Sequence, residues 1–222
     1  MTAPRVICGD ALEGLRVLVA CEFSGVVREA FRARGHHAWS CDLLPTEIPG
    51  PHHQGDVREL MEEPWDLMIA HPPCTHLAVS GARYFYRKQQ EQAEALEFVR
   101  LLFDAPIPRI ALENPVSIIS SRIRKPDQII QPWMFGHDES KSTCLWLKGL
   151  PPLCPTNVVK RPVGERYSNQ TPSGRNNIGP SPDRWKLRSM TYQGIAEAMA
   201  DQWGSLPSIN AAQPPLFQEA GA

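Results

Sequence analysis

Residues 67–74 read Leu-Met-Ile-Ala-His-Pro-Pro-Cys, and residues 109–115 read Arg-Ile-Ala-Leu-Glu-Asn-Pro. Each stretch begins with a short apolar run that is typical of a buried strand. The first run leads through two prolines to Cys74, and the second leads directly to Glu113. Because ligands bind at the carboxyl ends of the strands in open α/β sheets, the two stretches predict a thiol and a carboxylate at one functional edge.

Predicted strands and helices alternate along the rest of the chain. Short apolar runs predict further strands at residues 16–21, 37–41 and 143–147. Apolar residues at helical spacing predict helices at residues 26–34, 89–103 and 194–203. This alternation favours an α/β fold with a mostly parallel sheet and helices on both of its faces.

The chain length of 222 residues fits one domain. We expect residues 1–15 to form an N-terminal extension, residues 16–205 to form the domain, and the Pro/Ala/Gln-rich residues 206–222 to be disordered. The start lacks the apolar core of a secretory signal, and no apolar stretch is long enough to span a bilayer. Cysteines without regular spacing are typical of reduced cytosolic thiols. We therefore expect a cytoplasmic protein with no membrane partner.

The net charge of the whole chain is only −1, so any contact with nucleic acid would depend on a local concentration of positive charge. Residues 160–188 contain Lys160, Arg161, Arg166, Arg175, Arg184, Lys186 and Arg188. Only Glu165 and Asp183 oppose them, and the segment is rich in loop-forming residues. We expect these cations to contact phosphates and the amides of Asn169, Gln170, Asn176 and Asn177 to be available for base edges. The alternative is a solvated surface loop.

The predicted edge carries the groups needed for covalent attack on a polarised ring. A thiolate is a strong nucleophile, but an ordinary cysteine ionises only near about pH 8.5 and needs help from its surroundings. Pro72 and Pro73 stiffen the backbone ahead of Cys74. A buried strand end can raise the pKa of Glu113 and let this side chain carry a proton. The alternatives are an inert buried cysteine and a glutamate bonded to backbone amides.

Three further positions fit a cofactor bound at the same edge. Ser24 and Gly25 open a helix, and a helix N-terminus favours a negative group. Asp42 follows the second strand, where an acid can bind ribose hydroxyls. Asp56 follows Gly55 and can equally be a turn residue, as Asp42 can be a loop cap.

A metal site is not expected at this edge. Zinc bound by Cys74 and His76 would lack a second ligand pair at metal spacing. We expect His71 and His76 to line the loop or to face solvent.

Together these motifs resemble the DNA (cytosine-5) methyltransferase family, of the short kind found in phages and prophages. Pro72-Pro73-Cys74 with Ser80-Gly81 is similar to its catalytic loop, and Glu113-Asn114 is similar to its Glu-Asn motif. Residues 21–25 and 55–57 stand where the family's cofactor motifs belong. The order and spacing of the motifs agree over about residues 16–115, thinly over 116–188 and partly over 189–203, where residues 191–196 are aligned with the final motif.

The resemblance implies a Rossmann-like fold, S-adenosyl-L-methionine as the cofactor and DNA as the partner. The implied catalytic residues are Cys74, Glu113 and Asn114. The implied cofactor contacts are Phe23, Ser24, Gly25, Asp42, Asp56, Val57, Pro72 and Thr191. The implied substrate contacts are Ser80, Arg83, Lys141, Arg161, Arg166, Arg175, Arg184 and Lys186. Residues 116–188 are expected to hold a small target-recognition insertion, whose size is compatible with a protein partner that supplies specificity.

The implied reaction is methyl transfer to C5 of cytosine. Cys74 adds to C6, which raises the electron density at C5, and Glu113 donates or shares a proton at N3. Three other functions remain open. One is amino-group methylation, against which His71-Pro72-Pro73-Cys74 argues, because that chemistry needs no thiol. The others are C5 modification of a free cytosine nucleotide and a non-catalytic DNA-binding relic of the family. No Gln-x-Arg-x-Arg segment is present, and residues 141–143 are aligned with its place.

Overall fold

A computed structural model describes residues 14–162, 164–174 and 176–208. Most of the expected N-terminal extension, Arg175 and most of the expected C-terminal tail lie outside the described residues. Within the described part of the chain, no helix has the length and apolar character needed to cross a membrane.

The described residues form one seven-stranded sheet with the order β3-β2-β1-β4-β5-β7-β6. The strands are β1 (Arg16–Ala20), β2 (His37–Asp42), β3 (His52–Gln54), β4 (Leu67–Ala70), β5 (Ile110–Pro115), β6 (Gln128–Ile130) and β7 (Thr143–Lys148). The first five strands run parallel, and β7 is antiparallel to both β5 and β6. This architecture confirms the predicted α/β class with a mostly parallel sheet, and it is compatible with a Rossmann-like fold.

Helices cover both faces of the sheet. They are α1 (Val26–Arg32), α2 (Gln89–Asp104), α3 (Ile119–Arg122), α4 (Arg184–Ser189) and α5 (Gln193–Gly204). Successive residues of β4 alternate between two cores, one shared with α1 and α5 and the other with α2. Burial on both faces explains why the central strands are continuous apolar runs rather than alternating ones.

The order of the strands reverses between β1 and β4, which places a topological switch point there. In register, Ala20 lies beside Ala70, and Ala70 lies beside Leu112. The segments that follow β1 and β4 therefore emerge beside the end of β5 at the same edge. This edge is where the sequence predicted the thiol and the carboxylate.

The second half of the sheet differs from the sequence prediction. Strand β5 continues through Pro115, because Glu113 pairs with Leu145 and Pro115 with Thr143 across β7. Glu113 and Asn114 are thus strand residues rather than residues beyond the strand. The short strands β3 and β6 were not predicted. The interval 116–188 supplies β6 and β7, so part of the expected insertion belongs to the sheet.

Candidate active site

Hydrogen bonds join the loop that carries Cys74 to the end of β5. The backbone amide of Val79 donates to the carbonyl of Val116 (3.1 Å), and the amide of Ile118 donates to the carbonyl of Leu77 (3.0 Å). Deeper in the site, Asn114 Nδ2 donates to the carbonyl oxygen of Pro72 over 2.9 Å. These contacts hold the Pro-Pro-Cys turn against the strand that carries Glu113. The residues that the sequence predicted to converge are therefore brought together.

Cys74 is an exposed residue and its thiol is not in a disulfide. Desolvation by the surrounding loop raises the pKa of this thiol, and the negative charge of Glu113 raises it further. Lys141 and Arg188 act in the opposite direction, although more weakly. The thiol therefore lies within electrostatic reach of Glu113 and of two cations. It is mostly protonated in the absence of a substrate.

Glu113 does not have the raised pKa that the sequence reasoning allowed. Desolvation alone would raise it, but the hydrogen bond from His71, the charge of Lys141 and a hydrogen bond from Thr143 together outweigh desolvation. The pKa of Glu113 consequently lies below its ordinary value, and the carboxylate is charged at neutral pH. His71 Nδ1 lies 3.2 Å from Glu113 Oε2 and is the donor of this hydrogen bond, because an ionised carboxylate only accepts.

The sequence interpretation missed the contact between His71 and Glu113. His71 was expected to line the loop or to face solvent; it does not face solvent, because only 9% of its side chain is exposed, and it bonds to Glu113. Its position directly after β4, beside β5, was the available signal. Arg188 was expected only as a phosphate contact within the basic segment, yet its charge also reaches Cys74.

Lys141, just before β7, is a cation close to both Cys74 and Glu113. Its Nζ donates to the carbonyl oxygen of Arg188 over 2.8 Å and so ties the start of β7 to the end of α4. Its charge lowers the pKa of both Cys74 and Glu113. Residues 141–143, which were aligned with the missing arginine motif, are thus placed beside the carboxylate.

Several buried polar atoms of this edge have no hydrogen-bond partner among the described residues. They are His71 Nε2, His76 Nδ1, Asn114 Oδ1 and Ser117 Oγ. Buried polar atoms are rarely left without a partner in folded proteins, so a cluster of them calls for an explanation. Polar groups of a bound ligand are the simplest partners for such a cluster.

The N-terminus of α1 is already occupied by a side chain of the protein. The carboxylate of Glu22 accepts hydrogen bonds from the amides of Val27 (2.7 Å) and Arg28 (3.3 Å), and from the Ser24 hydroxyl (3.2 Å). Burial raises the pKa of Glu22, and the charge of His71 and the amide hydrogen bonds offset this only in part. A ligand carboxylate would therefore have to displace Glu22 or bind elsewhere at this edge.

The two predicted nucleoside-binding aspartates lie at the ends of β2 and β3, near Cys21. Both Asp42 and Asp56 raise the pKa of Cys21, which is also raised, and more strongly, by burial. Each aspartate also caps its own turn: Asp42 Oδ1 accepts from the amide of Leu44 (2.9 Å), and Asp56 Oδ1 accepts from the amide of Arg58 (3.0 Å). The capping alternative is therefore satisfied, and Asp42 uses only its Oδ1 oxygen as the cap.

The remaining cofactor-motif residues have mixed environments. Phe23, Ser24, Val57 and Pro72 are buried, whereas Thr191 is half-buried. The ring of Phe23 contacts the exposed ring of Trp185 at a centroid distance of 5.8 Å. Helix α4 therefore lies against the loop that follows β1. The carbonyl oxygen of Pro72 accepts the hydrogen bond from Asn114. Gly25 has a φ of +76°, a left-handed conformation that favours glycine.

Several of the basic residues predicted to contact DNA are already engaged. Arg161 forms ion pairs with Asp138 and Glu165, and Lys186 pairs with Glu47. Arg184 donates to the carbonyl of Ile178. Arg166 is exposed, as are Ser80 and Arg83 on the loop beyond Cys74, where Arg83 stacks on Tyr84.

The amides expected to read bases instead shape the loop. Asn169 is buried and exchanges two hydrogen bonds with the backbone of Ser140 (2.9 and 3.0 Å). Gln170 accepts a hydrogen bond from the amide of Tyr167, Asn176 accepts one from the amide of Ile178, and Asn177 donates one to the carbonyl of Ser168. The expectation that Asn169 is available to a base is therefore wrong.

Among the described residues, no three His, Cys, Asp or Glu side chains are arranged to hold a metal ion. No family model matches the chain, and no curated protein matches it significantly. The arrangement of the site's own residues is thus the basis for assigning a function.

Proposed function

We propose that this protein transfers a methyl group from S-adenosyl-L-methionine to C5 of cytosine in DNA through a covalent bond between Cys74 and C6. One observation carries the proposal. A thiol and a charged carboxylate lie at the ends of two adjacent parallel strands, and Asn114 of the second strand bonds to the turn that carries the thiol. The unpartnered polar atoms around them support a polar ring as the ligand.

The thiol and the carboxylate suit the two ends of a cytosine. The Cys74 sulfur would form a bond to C6, and the displaced π electrons would leave C5 electron-rich. Glu113 would hold a proton at N3, which neutralises the negative charge that develops in the ring. Loss of the C5 proton after methylation and departure of the Cys74 thiolate would restore the aromatic ring.

The switch-point edge fits a nucleoside-bearing methyl donor. Asp42 offers a carboxylate oxygen to ribose hydroxyls, and Leu43, which is 73% exposed, follows it as an apolar contact for a purine ring. When bound, S-adenosyl-L-methionine would supply an electrophilic methyl group. The chain's contribution would be to orient that group towards C5 and to exclude water.

A cytosine within a duplex would have to leave the base stack to reach Cys74. The exposed segment Val79–Arg87 follows the cysteine and carries Ser80, Arg83 and Tyr84. These side chains could hold the displaced base and its phosphates. Lys141, Arg188 and Arg166 are the cations best suited to DNA phosphates, since Arg161 and Lys186 are held in ion pairs.

A free cytosine nucleotide is the second candidate substrate, and one observation favours it. Part of the expected recognition region forms β6 and β7, and several polar side chains in the remainder are used internally. A short loop of this kind offers little surface for a duplex. Cys74 and Glu113 would perform the same chemistry on the smaller substrate.

Methyl transfer from labelled S-adenosyl-L-methionine tests the proposal directly. The wild-type protein is incubated with cytosine-containing DNA or with free cytosine nucleotides, in parallel with Cys74→Ala and Cys154→Ala. Cys154 is a matched control, because it is also an exposed cysteine without a disulfide. We expect label on DNA with the wild type and Cys154→Ala, and none with Cys74→Ala.

Each other outcome points elsewhere. Label with Cys74→Ala would rule out the covalent route. Label on nucleotides alone would identify the smaller substrate. A complete lack of label with both substrates, combined with DNA binding, would indicate a non-catalytic relic.

A further inference from the structure

His71 lies between two carboxylates at the edge of the sheet. Its backbone amide donates to the carbonyl of Ala20 at the end of β1, and its Nδ1 bonds to Glu113 on β5. On the β1 side it is close enough to Glu22 for its charge to lower the pKa of that carboxyl, against a larger rise from burial. The three side chains follow the order of the strands across the switch point.

The charges that surround this histidine are unbalanced. Glu22 faces it from the segment after β1 and Glu113 from β5, while Lys141 acts on Glu113 from the segment before β7. Cys74 lies further along the same loop. Two nearly buried carboxyls thus lie on either side of one imidazole.

The fold by itself does not require a histidine at position 71. An asparagine or glutamine amide could donate the same hydrogen bond to Glu113. Moreover, Nε2 is buried and has no partner among the described residues, which is costly for a purely structural side chain. Imidazole differs from an amide in that it gains and loses a proton near neutral pH.

We propose that His71 is a positioning residue that shares one proton with Glu113 and keeps that proton available for N3 of the cytosine. This inference rests on the proposed function. Glu113 alone is a poor proton carrier at neutral pH, because it is held in its charged form. Paired with His71, it becomes one end of a hydrogen-bonded unit that carries the shared proton.

The proton balance of the addition step is complete with these groups. The thiol proton of Cys74 leaves to solvent, and the thiolate electron pair forms the S–C6 bond. The π electrons move towards N3, and the one shared proton passes from Nδ1 of His71 through Glu113 to N3, which leaves Glu113 charged and His71 neutral. When the thiolate departs, N3 returns this proton through Glu113 to His71 and the pair is restored.

Three variants separate proton sharing from simple support. His71→Gln keeps a hydrogen-bond donor but cannot carry the proton, His71→Ala removes both, and His37→Gln is a control at the exposed start of β2. The first readout is the rate of C5 hydrogen exchange from cytosine labelled at C5, which requires addition but no methyl donor. It is measured between pH 5.5 and 8.5.

We expect the ratio of the His71→Gln rate to the wild-type rate to fall about tenfold or more between pH 6 and pH 8, within the usual range for general acid–base groups. His37→Gln should follow the wild type. A ratio that is constant with pH, or full recovery of the rate by glutamine at every pH, would overturn the inference.

A second measurement does not depend on activity. Carbon NMR of protein labelled at the glutamate carboxyls follows the titration of Glu113, which is assigned with Glu113→Gln. We expect the pKa of Glu113 to rise in His71→Gln and to rise further in His71→Ala. Identical titration in all three proteins would refute the pairing, even if the wild type methylates nothing. If the wild type methylates nothing but the titration of Glu113 changes as expected, the proposed function fails while the pairing of His71 with Glu113 stands.

Discussion

Replacing Asn114 with alanine should separate the stability of the fold from the aim of the nucleophile. Asn114 is 1% exposed, and its amide is the buried contact between β5 and the Pro-Pro-Cys turn. Alanine removes the donor and leaves the carbonyl oxygen of Pro72 without this partner. The turn that presents Cys74 then loses its link to the strand that presents Glu113.

The expected losses of folding stability and of activity both follow from this one hydrogen bond. A net hydrogen bond contributes about 1 kcal/mol, and leaving a buried partner unsatisfied brings the loss to roughly 1–3 kcal/mol. Domains of ordinary stability, about 5–15 kcal/mol, remain folded after such a loss. A displacement of the reacting sulfur by about 1 Å can lower the rate about a hundredfold. The activity should therefore fall far more than the folded fraction does.

Urea unfolding and methyl transfer are measured on the same samples, together with Gln128→Ala as the control. Gln128 on the edge strand β6 exchanges two hydrogen bonds with Leu153 (2.7 and 2.8 Å), so its loss should cost similar stability away from Cys74. We expect Gln128→Ala to keep its activity within about twofold. The reasoning is refuted if Asn114→Ala is destabilised but keeps wild-type activity, or if both variants lose activity equally.

Other perturbations test single contacts. Lys141→Met should raise the pKa of Cys74, because a nearby cation is lost, and alkylation of this thiol should then require a higher pH; an unchanged profile would place Lys141 outside the site. The folded-state pKa of Glu22 is raised, so the stability it contributes is fully present below its unfolded pKa and is lost as pH rises through the interval up to the folded value. Unfolding free energies should accordingly show Glu22→Gln gaining relative to the wild type as pH rises through that interval, and a constant difference would contradict this. Gly25→Ala should destabilise more than Gly35→Ala, since both have positive φ but only the first would place its Cβ within 2.7 Å of a buried guanidinium; equal denaturation midpoints would argue against the clash.

The fold class was predictable because its signals are local. The apolar runs that became β1, β4 and β5 are buried on both faces of the sheet. Each strand can therefore be recognised from its sequence without knowing which of its residues face which core. Helix α2 has apolar residues at helical spacing, and it was predicted within one residue of its observed end. The adjacency of β4 and β5 followed from the rules for parallel sheets, and with it the meeting of Cys74 and Glu113.

The missed features depend on partners that are distant in the chain. The extension of β5 through Glu113 requires β7, which arrives about thirty residues later along the chain. Whether Arg161 and Lys186 are available to DNA depends on Asp138 and Glu47, which no local pattern connects to them. The contact between His71 and Glu113 depends on side-chain direction at two strand ends, which spacing along the sequence does not encode.

The carboxylate of Glu22 at the start of α1 has a consequence for ligand choice. In dinucleotide-binding folds, the corresponding strand-to-helix turn receives a pyrophosphate. Here the carboxyl group of Glu22 already accepts from the amides of Val27 and Arg28, so a pyrophosphate would find these donors taken. We therefore expect the turn to disfavour ligands that place a phosphate here, such as nicotinamide and flavin dinucleotides.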